Sequence, residues 1–82
     1  MSEKYKRISL DEPAHYRIAI QGRLDEQWVS YFDGMNISSE SIDHDFTQTT
    51  LTGIVIDQAA LHGLLNRIRD LGLPLLLVER IA

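Results

Sequence analysis

The sequence predicts one α+β domain with a ferredoxin-like fold, in which elements in the order β-α-β-β-α-β form an antiparallel sheet with two helices on one face. Three features predict it: a strand-like alternation near residue 16, a β-branched stretch before residue 57, and an apolar stripe at helical spacing after it. The 82 residues are enough for a single hydrophobic core. We expect residues 14–82 to form this domain and residues 1–13 to be a flexible N-terminal segment.

The first strand and the first helix are predicted from local patterns. Residues 16–21 alternate between apolar and less apolar side chains, which is the period of a half-buried strand. A short helix is expected next, with Asp25 as its N-cap and with Leu24 and Val29 in the positions of a hydrophobic staple. Gly34 supplies a stop signal, so the helix has room for about two turns.

A β-hairpin is expected in the middle of the chain. Residues 35–41 favour a short strand, residues 42–46 are polar enough to turn, and residues 47–56 are rich in Thr, Ile and Val. Two antiparallel strands joined by this turn are the expected result.

The second helix has the clearest signals in the sequence. Asp57 occupies an N-cap position before it, and Gly72 followed by Pro74 marks its end. Gly63 lies inside the helix at a cost of roughly 1 kcal/mol relative to Ala, so we expect another segment or a partner to approach closely there. One face carries an apolar stripe formed by Leu61, Leu64, Leu65, Ile68 and Leu71.

The last strand is apolar on both faces. It consists of four consecutive aliphatic residues, Leu75, Leu76, Leu77 and Val78. Helices on one side of a sheet cover only one face, so we expect one alternating pair to pack under the helices and the other to meet a second copy or another protein. These four residues are the predicted interface.

Composition narrows the classes of function. The net charge is −4, and the segment 24–66 contains no Lys or Arg but seven acidic residues, which disfavours binding to nucleic acid. The chain has no cysteine, as expected for a cytoplasmic protein, and the longest apolar run is too short for a membrane span. No cofactor motif occurs, because the glycines are scattered singly and form no phosphate-binding loop.

A few titratable residues are candidates for chemistry. The cluster Asp43–His44–Asp45 contains metal-ligand types, but three adjacent residues do not converge easily on one ion, so a solvated turn is expected. His62, Asp57 and His15 are candidates for a ligand or acid/base site. The opposing interpretation is that Asp57 is a helix cap and that the histidines are structural or solvated. Catalytic, cofactor and metal residues are otherwise expected to be absent.

A resemblance adds to these inferences. The motifs are G-R-L, W, L-T-G, D-Q-A-A-L-H-G-L-L and I-R-D-L-G-L at residues 22–24, 28, 51–53, 57–65 and 68–73. With these motifs the chain is similar to a group of small uncharacterised bacterial proteins over residues 15–80. The resemblance implies no activity and no functional residue.

Two hypotheses of function follow from the sequence. The first is a non-catalytic protein-interaction or regulatory module that forms a homodimer through its sheet. The second is a small enzyme or small-molecule-binding protein whose site forms at the dimer interface, with His62 or His15 acting beside Asp57.

Overall fold

The computed structural model describes residues 11–24, 26–28, 30–32 and 34–81, and these form a sheet, one α-helix and two short 3-10 turns. Residues 1–10 of the segment predicted to be flexible lie outside the described residues, as do Asp25, Val29 and Asp33 of the predicted first helix. The elements are β1 (Ala14–Gln21), the 3-10 turns (Glu26–Trp28 and Ser30–Phe32), β2 (Asn36–Asp43), β3 (Phe46–Val55), α1 (Gln58–Asp70) and β4 (Leu75–Arg80).

The sheet is antiparallel throughout, with the strand order β2-β3-β1-β4. β1 therefore lies inside the sheet, where Ile18 is opposite Leu51 of β3 on one side and Val78 of β4 on the other. The run from Ile18 to Ile20 is almost completely buried, including Ala19 on the face away from the helix. Ala19 lies between Thr50 of β3 and Leu77 of β4, so strands on both sides shield its small side chain from water.

The hydrophobic core lies between the sheet and α1. On the helix, Leu61, Leu64 and Ile68 are buried, and they belong to one cluster with the core residues of β1 and β3. The fully buried Phe32 joins this cluster from the connection between β1 and β2. The core is thus closed by one helix and by the segment that crosses from β1 to β2.

The predicted ferredoxin-like fold with two helices is wrong, because the described residues contain one α-helix in a β-β-β-α-β order. The region of the predicted first helix forms the two 3-10 turns instead. A helix of two turns is marginal in water, and Trp28, Tyr31 and Phe32 are aromatic residues with lower helix propensity than unbranched side chains. Short 3-10 turns serve as connectors, and they bury Phe32 without an α-helix.

Both predicted ends of α1 are confirmed. The Asp57 carboxylate accepts a hydrogen bond of 2.7 Å from the Ala60 N–H, which makes Asp57 the N-cap. Gly72 has φ +75° and its N–H donates to the Arg69 carbonyl at 2.9 Å, while the N–H of Leu73 donates to the Ile68 carbonyl at 3.3 Å. These two bonds form a Schellman motif, which requires the left-handed residue at position 72.

Two glycines have opposite surroundings. Gly22, just after β1, has φ +124°, and a Cβ atom added there would lie 2.9 Å from Leu73 Cδ2. An added Cβ at Gly63 would meet nothing within 4 Å among the described residues. The expected close approach of another segment of this chain to Gly63 is therefore wrong for the part that the structure describes. The close approach occurs at Gly22, where the end of β1 meets the turn after α1.

A buried hydroxyl joins the crossover to the sheet. Thr49 of β3 is fully buried, and its Oγ1 donates to the Gly22 carbonyl at 2.6 Å and accepts from the Leu24 N–H at 3.3 Å. Ser39 Oγ of β2 lies 2.7 Å from Thr49 Oγ1 and 3.1 Å from the Leu24 carbonyl. Because a hydroxyl carries one proton, Ser39 donates to one of these two oxygens at a time. The start of the crossover is thereby fixed to β2 and β3.

The two glycines provide a matched test of this geometry. We expect Gly22→Ala to lower the free energy of unfolding by about 1–2 kcal/mol, because it adds strain at positive φ and a contact with Leu73. Gly63→Ala should raise it by roughly 0.5–1 kcal/mol, since alanine is the better helix former and the space is open. Urea unfolding followed by circular dichroism measures both. A destabilising Gly63→Ala would show that this position is occupied in the folded protein.

The Thr49 hydroxyl is tested by a change that keeps the side-chain shape. Thr49→Val leaves the Gly22 carbonyl and the Leu24 N–H without this partner, so the free energy of unfolding should fall by about 1–3 kcal/mol. Thr50→Val is the control, because Thr50 points to the other face of β3 and should change stability by less than about 0.5 kcal/mol. Equal urea midpoints for the two variants would contradict a role for the Thr49 hydroxyl.

Candidate functional site

The predicted interface forms an exposed apolar surface on β4. Leu75, Leu76, Leu77 and Val78 are 48%, 44%, 41% and 38% exposed, respectively. The expectation that one alternating pair would be buried under the helices is wrong, because all four side chains stay accessible. The buried side chains of α1 join the core of the inner strands, which leaves β4 uncovered by the described residues.

An apolar cleft separates α1 from β4. It has a volume of about 410 Å³ and is lined mainly by apolar residues, together with one charged residue: Leu65, Ile68, Arg69, Gly72, Leu73, Pro74 and Leu75. The cleft lies on the helix side of the sheet, so the apolar surface of β4 continues from the strand edge toward α1.

The sheet face opposite α1 is mostly polar. Arg17 of β1, Gln48 and Thr50 of β3, and Ser38 of β2 alternate with the core residues and therefore point to this face. Leu77 is one of few aliphatic side chains there. A partner that packed flat against this face would bury mainly polar groups, which costs free energy unless each finds a hydrogen bond.

The two edges of the described sheet differ in chemistry. β2 presents the polar sequence Asn36–Asp43, and its pairing with β3 is interrupted between Ser41 and Asp43. Charged residues and bulges of this kind hinder the addition of another strand. β4 also has a register shift, opposite Ala19 and Ile20 of β1, but it presents four consecutive exposed aliphatic residues before its first charge at Glu79. The edge formed by β4 is the one suited to pair with another chain.

Glu79 and Arg80 end this edge with charges that have partners on the same chain. Glu79 forms an ion pair with Arg17 of the neighbouring strand. Arg80 Nη2 lies 3.0 Å from Glu12 Oε1. The apolar part of the edge is therefore bounded at its C-terminal end by two ion pairs.

The candidate acid/base residues are not joined to one another. Asp57 caps α1, His62 is exposed on that helix, and His15 is half-buried on β1 opposite Ile54. Neither a hydrogen bond nor an ion pair connects any two of these three described residues. An acid/base or ligand role for them stays a prediction, and the observed contact of Asp57 is structural.

Other polar and aromatic groups have evident structural contacts. Asp43 accepts a hydrogen bond of 2.9 Å from the Asp45 N–H in the exposed turn between β2 and β3. No group of three or more His, Asp or Glu in the described part of the chain could hold a metal ion. Arg67 of α1 donates to the Tyr31 carbonyl at 2.9 Å and lies 5.7 Å from the Tyr31 ring centre. This contact ties the second 3-10 turn to the helix.

Comparison with known families identifies the domain. The profile of a domain of unknown function, DUF8691, matches residues 15–79, which is more than half of the chain. The chain belongs to the DUF8691 family. This agrees with the similarity to an uncharacterised family. Comparisons with curated proteins and with solved structures give no match.

No helix in the described part of the DUF8691 domain is both long enough and apolar enough to cross a membrane.

The capping role of Asp57 in the DUF8691 domain is directly testable. Asp57→Ala should lower the free energy of unfolding by about 1 kcal/mol, because the Ala60 N–H loses its acceptor. Asp57→Ser should unfold at nearly the wild-type urea concentration, since a serine hydroxyl also caps a helix. If both substitutions were equally destabilising, the carboxylate would have a role beyond the cap.

Proposed function

We propose that this DUF8691 domain is a non-catalytic protein-interaction or regulatory module that self-associates through the β4 edge of its sheet. The observation that carries the proposal is the row of four exposed aliphatic side chains, Leu75–Val78, on an edge strand. Long hydrophobic edges promote pairing with other chains, and native proteins normally protect them. The polar and charged side chains that protect β2 are missing along these four residues.

The energetics of a small domain support the same proposal. A chain of 82 residues buries a limited fraction of its surface, and each exposed aliphatic side chain on β4 adds apolar area in contact with water. Association of two copies would remove part of this area and also satisfy main-chain groups at the edge. The partner proposed first is therefore a second copy of the same domain.

The setting in which the module acts is also a proposal. The chain lacks cysteine, which suits the reducing cytoplasm, and its signature resembles that of small bacterial proteins. Its acidic middle segment, with no Lys or Arg between residues 24 and 66, argues for protein partners over nucleic acid.

Sedimentation velocity over a wide range of concentrations tests self-association. The wild type should shift from monomer to dimer as the concentration rises. Leu77→Glu should remain monomeric at the same concentrations, because a carboxylate on this edge would be desolvated in the dimer. Circular dichroism and urea unfolding verify that the Leu77→Glu variant is folded.

Ile42→Glu is the matched control for this experiment. Ile42 is also an exposed aliphatic residue on an edge strand, but it lies on β2. It should dimerise as the wild type does. A wild type that is monomeric at every concentration, or equal loss of dimer in both variants, would contradict self-association through β4.

A further inference from the structure

We infer that two copies of the domain pair β4 with β4 in one antiparallel register centred on Val78, and this inference rests on the proposed function. The two sheets then form one continuous eight-stranded sheet, four strands from each copy. The two-fold axis is perpendicular to the sheet, so both α1 helices lie on the same face. The occupant of the edge is a second copy of this chain, and the register follows from the hydrogen-bond pattern and the charges of β4.

The hydrogen bonds between β4 and β1 determine which main-chain groups face outward. The Ile81 N–H donates to the His15 carbonyl at 2.7 Å, which makes these two residues a hydrogen-bonded pair. In an antiparallel ladder such pairs alternate along the strand. Glu79 and Leu77 therefore direct their N–H and C=O groups toward β1, whereas Val78 and Arg80 direct theirs to the free edge.

Two-fold symmetry then limits the registers. Residues directly opposite each other in an antiparallel pair have their side chains on the same side of the sheet. The two-fold axis must therefore lie midway between one residue and the same residue of the other copy. Centring on Val78 lets the outward groups of Val78 exchange two hydrogen bonds with those of its copy. Glu79 of each chain then lies opposite Leu77 of the other, and Arg80 lies opposite Leu76, where the register of β4 against β1 shifts.

Neighbouring registers are less favourable. Centring on Leu77 would place Arg80 opposite Pro74, which has no N–H to donate. Centring on Glu79 would place two carboxylates directly opposite each other, and like charges in such pairs are destabilising. In the Val78 register, Glu79 faces Leu77 of the other copy and keeps its ion pair with Arg17.

The same geometry limits the size of the assembly. Pairing β4 with β4 uses the apolar edge of both copies, and the edges that remain are the two copies of β2. These are polar and interrupted between Ser41 and Asp43. A symmetric contact of this kind closes on itself, so the assembly ends at a dimer.

Disulfide cross-linking of single-cysteine variants tests the register. The chain has no cysteine of its own, so any disulfide must form between the introduced residues. In the proposed register Val78 and its copy form a hydrogen-bonded pair with Cα atoms about 5.5 Å apart, which a disulfide spans. Val78→Cys should therefore become a covalent dimer under mild oxidation on a non-reducing gel. Leu77→Cys alone and Glu79→Cys alone should not, since each lies diagonally from its own copy at about 7–8 Å.

A mixture of Leu77→Cys and Glu79→Cys supplies the positive control for alignment. These two positions are directly opposite in the proposed register, so the mixture should form the covalent heterodimer that neither variant forms as a homodimer. Cross-linking of Leu77→Cys alone, with none for Val78→Cys, would overturn the Val78 register. If the wild type still sediments as a dimer in that case, the proposed function stands while this inference fails.

Amide hydrogen exchange of the unsubstituted 82-residue chain identifies what occupies the edge. The outward N–H group of Val78 should become protected as the concentration rises, in parallel with dimer formation. Protection that is already complete in a monomer would show that another segment of the same chain covers the edge, which overturns the inference. Exchange that stays rapid at every concentration in a monomeric protein would overturn both the inference and the proposed function.

Discussion

The buried hydroxyl of Thr49 holds together the parts of the domain that local sequence does not connect. It bonds to the Gly22 carbonyl and the Leu24 N–H, and it lies within hydrogen-bond distance of Ser39. In a low-dielectric interior such polar groups are costly without partners and strong with them. The crossover from β1 to β2 begins at this point, so the hydroxyl fixes the start of the connection that also carries Phe32. Phe32 is fully buried on the helix side of the sheet, as part of the core cluster.

The strands and helix ends that depend on contacts between residues close in sequence were predictable. Asp57 and Gly72 delimit α1 through contacts within a few residues, and the alternation at residues 16–21 is a property of β1 alone. The first helix was predicted wrongly, because aromatic residues at i and i+4 spacing are compatible with a helix but do not provide enough length to stabilise one. Tertiary contacts of Phe32 and Tyr31 favour 3-10 turns there.

The sequence predicted which residues form the candidate site, but it did not predict that they lie at the edge of the sheet. The aliphatic run of β4 is visible in the sequence, whereas its position at an edge depends on strand order. The alternation of side chains along a strand indicates which face is buried and carries no information on which strands lie beside it. The Thr49 contacts could not be predicted, since their partners are 25 and 27 residues away and a threonine in a β-branched stretch suggests only a strand.

The pairing of the first described strand with the last has a consequence for how the chain folds. Arg17 and Glu79 are neighbours although 62 residues separate them, whereas β2 and β3 are joined through a short turn. Closing the longer loop costs more chain entropy, so the β2–β3 hairpin forms with less hindrance than the β1–β4 pair. On the ribosome, β1 lacks one of its two neighbours until residues 75–80 have emerged. In a nascent chain the side of Ile18–Ile20 that pairs with β4 therefore stays open until β4 arrives.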